Sequence, residues 1–328
     1  MRRREFIAIL GGVGLWPSRA TAQQPQRVRQ VGVLMSYLES DAEAQEWARV
    51  FVRALDSLGW RDGVNLKLHY RWRGAGSEML RANAAELAGM GLDAVLAGAT
   101  PAAIALKRAT QSVPVVFANV ADPVGQGLVA SLAQPGGNMT GFGAFEFSIA
   151  GKWVQGLKEL VPSAQKFGVI VNPETAPFYR NFLPFIEQAA QQAGIVADLT
   201  PIENVDQIAN TIEQLAKQTH GLIVLPAAQF TTNKELVVRT IARLGVPAMY
   251  SYTFWVTTGG LISYGFDPKD MFRRAANYID LILKGTRVRE LPVQQPTQFQ
   301  LAINLKAARA LGITVPNTLL AYADEVIE

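Results

Sequence analysis

Cysteine does not occur in the 328-residue chain. Its absence excludes disulfides, thiolate catalysis, cysteine zinc sites, iron–sulfur clusters and a lipid anchor carried on a cysteine. Histidine occurs twice, at His69 and His220, which excludes a multi-histidine metal centre. No apolar run after the first 22 residues reaches the 18 or so residues of a membrane-spanning helix. Charged residues make up 18% of the chain against 49% hydrophobic ones, an ordinary globular balance. At this length, two cores are expected rather than one.

What is present begins with an export signal. Arg2, Arg3 and Arg4 form a basic n-region, Phe6 to Leu15 a short apolar run, and Ala20-Thr21-Ala22 a small-residue cleavage pattern. Arg3-Arg4-Glu5-Phe6-Ile7 also resembles a twin-arginine signal, so either the Tat or the Sec route is open. Removing residues 1–22 leaves 27 basic against 26 acidic residues, a net charge of +1. The formal +4 of the whole chain is therefore no argument for nucleic-acid binding. The expected product is a periplasmic protein without membrane insertion, not a lipoprotein, and a monomer.

Strand-like runs alternate with helix-length amphipathic runs. Val31–Met35 reads as a strand, 42–58 as a helix with Trp47, Phe51 and Leu55 on one stripe, and 64–72 as a strand. Helix 77–90, strand Ala94–Ala97, helix 102–110 and strand Val115–Phe117 follow. After about residue 145 the pattern repeats: helices over 146–160, 178–193, 205–218 and 233–244, with strands at Phe167–Val171, 195–199, Leu222–Leu225 and Ala248–Tyr250. This α/β order implies parallel sheets covered by helices. Gln134-Pro135-Gly136-Gly137-Asn138 with Gly141-Phe142-Gly143, then Thr257-Thr258-Gly259-Gly260, then Leu291-Pro292, mark three expected crossings between two lobes, with helix 268–284 returning to the first.

Ligands of open parallel sheets bind beyond the carboxyl ends of the strands. Those ends supply the candidate site. Thr100 is an expected N-cap and Pro101 a first helical residue, with Ala102 leaving backbone N–H groups open to a carboxylate. The same residues also fit a plain helix start. Asp122 fits a contact to a ligand ammonium, a cap for a short helix near 127–132, or an Asx turn. Tyr37, Phe178, Tyr252 and Tyr264 could stack on a flat ligand, or serve only as core. Asn172 and Pro226 close two further strand ends. Gly125-Gln126-Gly127-Leu128-Val129-Ala130 fits a dinucleotide fingerprint, but Asp122-Pro123 separates it from its strand and Pro135 cuts the following segment short. No nucleophile–base–orienter set occurs, so no catalytic residue is assigned.

Val113-Pro114-Val115-Val116-Phe117, Ala121-Asp122-Pro123-Val124-Gly125, the block Gly127 to Gly141, Ser263-Tyr264-Gly265, Phe299 to Lys306 and Ala323 to Glu328 resemble the ABC-transporter substrate-binding family that includes the tryptophan/tyrosine binders. The resemblance spans essentially the whole chain after the signal. It implies a type I periplasmic-binding fold: two doubly wound parallel-sheet lobes on a three-crossing hinge, 28–143 plus 260–292 and 144–259 plus 293–328. It further implies flytrap-like closure on a small solute and docking on an ABC permease with its ATPase, with no cofactor, metal or bond chemistry. The solute expected is a carboxylate-bearing, aromatic or branched amphipathic molecule. By this resemblance Thr100, Pro101 and Ala102 bind a carboxylate, Asp122 and Asn172 give polar contacts, Tyr264 sits at a crossing, and the loops at Tyr37, Phe178 and Phe230 set selectivity. A ligand-sensing subunit for a membrane receptor kinase would share fold and cleft.

Overall fold

The computed structural model describes residues 27–73 and 77–328. The expected signal and its cleavage pattern at Ala20-Thr21-Ala22 lie outside the described residues. Among those described, no helix is long and apolar enough to cross a membrane.

The first lobe grows from β1 (Arg29–Met35), α1 (Ala42–Ser57), β2 (Leu66–Trp72), α2 (Ser77–Gly89), β3 (Ala94–Gly98), α3 (Thr100–Ala109), β4 (Val115–Val120) and β5 (Met139–Gly143). Its five strands pair in parallel in the order β2-β1-β3-β4-β5. β3 and β4 are buried throughout, as expected of strands covered on both faces. α1 begins where the Asp41 carboxylate accepts from the Glu43 and Ala44 N–H groups at 3.0 and 3.2 Å. It then buries Trp47, Phe51 and Leu55.

The second lobe comprises α4 (Ile149–Leu160), β6 (Lys166–Val171), α5 (Leu183–Gln192), β7 (Val196–Pro201), α6 (Ile208–Ala216), β8 (Leu222–Val224), α7 (Ala228–Thr232), α8 (Lys234–Arg243), β9 (Ala248–Tyr250), α9 (Thr253–Thr257) and β10 (Ile262–Gly265). α10 (Pro268–Leu283) then packs back on α1, β3, β4 and β5 of the first lobe. The chain ends in the second lobe with β11 (Gln300–Asn304), α11 (Leu305–Ala310), α12 (Asn317–Tyr322) and β12 (Glu325–Ile327). The seven-stranded sheet runs β12-β11-β10-β9-β8-β6-β7, parallel except at the antiparallel β10–β11 pair.

The chain crosses three times, displaced in part from the turn residues that marked the crossings. Gln134–Asn138 is a loop that leads into β5 inside the first lobe, and the crossing follows Gly143. Thr257 ends α9, and Thr258 to Gly260 lie in the turn between α9 and β10. Since β10 pairs with β9 and β11, the expected return at residue 260 shifts to the segment after Gly265. Val293 N–H still donates to Leu132 O, and Gln294 N–H to Gly141 O, so Leu291-Pro292 also lies inside the first lobe and the third crossing follows Gln294. Glycine and proline report turns, whereas these crossings are short segments outside helix and strand. The helix expected near 127–132 is a series of turns.

Glycine matters at two places here. At Gly141 any Cβ would lie 2.0 Å from the Phe117 carbonyl oxygen, so only glycine lets β5 approach β4. At Gly265, the last residue before the second crossing, a Cβ would meet the Ser251 carbonyl oxygen at 1.8 Å. Gly265→Ala is therefore expected to destabilise the protein by about 1–3 kcal/mol, read as a lower urea midpoint at unchanged m-value.

Candidate ligand site between the lobes

Both sheets present their carboxyl ends to one cleft. From the first lobe come Tyr37 after β1, Ala99 and Thr100 after β3, and Asn119 and Ala121 at the end of β4. From the second come Thr175 and Phe178 after β6, Pro226 to Ala228 after β8, and Tyr252 after β9. Ala144 and Phe145 of the first crossing close one side. These residues enclose a cavity of about 20 Å³, room for about one water. Anything larger fits there only if the lobes separate.

The backbone at this site is unusual. Among the described residues, the non-glycine residues with positive φ are Ala99 (73°), Asn119 (60°) and Asp122 (49°), all at the ends of β3 and β4. Ala99, with ψ at 167°, occupies a region that is essentially reserved for glycine. This kink ends β3 and starts α3, so Ala99 stands at the N-cap and Thr100 is already helical. Thr100 therefore does not cap α3; its Oγ1 accepts from Ala121 N–H at 3.0 Å and ties the two strand ends together. The cap comes from elsewhere: Ser36 Oγ accepts from Ala102 N–H at 2.9 Å.

The lining carries no formally charged side chain. Its polar groups are neutral: Thr100, Asn119, Thr175, Thr231 and the hydroxyls of Tyr37 and Tyr252. Tyr252 Oη donates to Asn119 Oδ1 across the cleft at 3.4 Å. Burial, then the charge of Asp41, push the Tyr37 hydroxyl pKa up, and burial, then Tyr37, do the same at Tyr252. Both hydroxyls therefore stay protonated and remain donors at any physiological pH. Phe145 packs on Tyr252, Phe182 and Phe266 with ring centroids 5.7, 5.6 and 5.0 Å apart, and Tyr37 lies edge-on to Trp47 at 5.0 Å.

Five expected site residues line the cavity: Tyr37, Thr100, Phe178, Pro226 and Tyr252. Five do not. Pro101 and Ala102 lie behind Thr100 in α3, and the Ala102 N–H is taken by Ser36, so the helix start offers a carboxylate less than the sequence suggested. Asp122 forms an Asx turn with Gly125 N–H at 2.9 Å and accepts from Asn181 Nδ2 of the other lobe at 2.7 Å, at the cleft rim. Asn172 is fully buried; it accepts from Thr175 N–H at 2.7 Å and donates to Ile202 O at 2.7 Å, holding the Thr175 turn from behind. Tyr264 faces an outer groove of the second lobe, stacked on Phe299 at 6.0 Å. Asn119, Phe145, Thr175 and Thr231 line the cavity and were not among the expected site residues. Asn119 could have been found, since a short polar residue at a strand end tolerates left-handed φ. Phe230 is fully buried in α7 and does not line the cavity.

The sequence profile described as ABC transporter substrate binding protein matches residues 30–327. The chain belongs to this family. It is a family of substrate-binding proteins, not of enzymes. The chain is similar to the tyrosine-binding protein of Clostridioides difficile, 25% identical over 291 residues, covering 87% of this chain and 82% of that protein. Among solved structures it resembles a conserved domain protein of Vibrio cholerae, with TM-score 0.85 and 27% identity over 92% of this chain and all of that one. It also resembles the ABC domain in complex with L-Trp from Streptococcus pneumonia, with TM-score 0.83 and 26% identity over 91% of this chain and 99% of that one. An ABC sugar transporter subunit and an ABC transporter solute binding protein, of lower identity, share the fold.

The strain at Ala99 is open to measurement in this substrate-binding protein. Ala99→Gly removes a cost of about 1–3 kcal/mol and adds about 0.5–1 kcal/mol of unfolded-chain entropy. A net gain of about 1 kcal/mol by urea unfolding is expected, and a loss would show that Ala99 is not strained.

Proposed function

We propose that the protein is the periplasmic solute-binding component of an ABC importer, and that it closes its two lobes on a zwitterionic, aromatic amino acid-like solute. The observation that carries this reading is the lining, which combines aromatic walls (Tyr37, Phe145, Phe178, Tyr252) with neutral hydrogen-bonding groups and no fixed charge. Moving a lone ion into such a site is costly, because nothing there offsets its lost hydration. A zwitterion carries its own countercharge, its carboxylate can accept from hydroxyl and amide donors, and its side chain can stack on the aromatic walls. The tyrosine-binding relative and the L-Trp complex support the same class.

On this reading, the first lobe ends near Gly143 and takes back the chain from Asp267 to Gln294. The rest forms the second lobe. Closure is a population shift driven by contacts from both lobes. The closed monomer then docks on a permease, whose ATPase drives import. The family match favours transport over a role as a kinase-linked sensor.

Thermal unfolding in the presence of L-tyrosine, L-tryptophan, indole-3-acetate and tyramine tests the solute class. A zwitterion at 100 times its dissociation constant should stabilise the folded form by about 2.7 kcal/mol, and the acid and the amine should do so far less. Equal stabilisation by indole-3-acetate would overturn the zwitterion reading. Tyr252→Ala should weaken the best binder by about tenfold or more in calorimetric titration, since it removes both a stacking face and a hydroxyl.

A further inference from the structure

Outside the cavity, two carboxylates of the first lobe reach across the cleft. Asp41 Oδ2 accepts from Thr232 Oγ1 of α7 at 2.9 Å. Asp122 Oδ2 accepts from Asn181 Nδ2, in the turn before α5, at 2.7 Å. Neither residue of either pair lines the cavity. In both pairs the acceptor is already fixed by its own lobe through its other oxygen. Asp41 Oδ1 caps α1, and Asp122 Oδ1 closes the turn to Gly125. An acceptor held in place loses little freedom when the second lobe arrives, and a charged acceptor makes the stronger kind of hydrogen bond. The pairs also stand on opposite sides of the ligand position. Asp41 follows β1 and Asp122 follows β4, with β3 and its Ala99–Thr100 turn between them.

We propose that Asp41–Thr232 and Asp122–Asn181 form a two-sided latch that sets solute affinity without touching solute. The proposal rests on the reading of the cleft as a site of interlobe capture. Asp122 thereby becomes a positioning residue instead of a partner for a ligand ammonium. Two weaker pairs reinforce the rim, Arg73 with Glu174 at 3.7 Å and the buried Lys234 with Glu43 at 3.9 Å. None of these bonds depends on what fills the cavity, so the latch holds a measurable closed population on its own. Each bond enters the affinity for every solute by the same factor, because it acts on the closing equilibrium that all solutes share. A lining residue such as Tyr252 instead alters the ratio between solutes.

The test uses Thr232→Val with Asn181→Ala, which remove the second-lobe donors and leave the α1 cap and the Gly125 turn intact. Because the chain has no cysteine, Ser57→Cys and Gln214→Cys place one spin label on each lobe of the full chain, and the interlabel distance reports closure. Without solute, the latch variant should lose the short-distance population by about tenfold or more, given three- to tenfold per bond. Calorimetric titration should show the same factor lost for L-tyrosine and for L-tryptophan, with their ratio unchanged. An unchanged short-distance population in the variant overturns the proposal, as does its absence from the solute-free parent or a changed ratio between the two amino acids. If neither amino acid binds the parent, the aromatic-solute reading falls. The solute-free distances still decide the latch.

Discussion

Parallel strands all end at the same edge of a sheet, so every loop leaving those ends is delivered to one place. In this chain that constraint operates twice, and the three crossings turn the two edges toward each other. The site needs no loop of exceptional length. Tyr37, Thr100 and Asn119 arrive on the ends of β1, β3 and β4, and Thr175, Pro226 and Tyr252 on the ends of β6, β8 and β9. The rigidity of the sheets then positions them to within the precision of a strand, while the crossings allow the two sets to separate.

Charge is sorted with respect to this arrangement. The lining is neutral, and the charged groups stand at the rim, where each is bonded within its own lobe, across the cleft, or both. Burying them deeper would incur a desolvation cost that the lobes would feel on every closure. Asp41 and Lys234 are themselves buried, and there the bonds they make stand in for lost hydration. Glu43 shows the gradient: half-buried, its carboxyl pKa is raised by burial, with Lys234 acting the other way.

Most of the architecture was legible because hydrophobic periodicity reports burial. α1, α4, α10 and, β5 apart, the strands of both sheets up to β9 stand within a few residues of where apolar spacing put them. The Gly141-Phe142-Gly143 end of β5 was read as part of the first crossing because it carries two glycines. They are there to admit a neighbouring backbone, a tertiary demand with no local signature. Thr100 and Ala99 illustrate the same limit at the site. Threonine before proline is a good cap by propensity, yet the strand has to bend one residue earlier, and Ala99 takes the strained conformation instead. Asn172 was correctly sensed as a special strand end, but its bonds turn inward to hold Thr175. Sequence shows which positions leave a strand; which of them face the cavity depends on the opposing lobe.

The antiparallel β10–β11 pair has a practical consequence. β11 leaves the cleft where β10 approaches it, and β12 runs parallel to β11, so residues 325–327 travel away from the opening. A polypeptide fused after Glu328 would therefore emerge on the side of the second lobe remote from the entrance. The protein could be tethered there to a surface or joined to a fluorescent reporter, with its jaws left free to move.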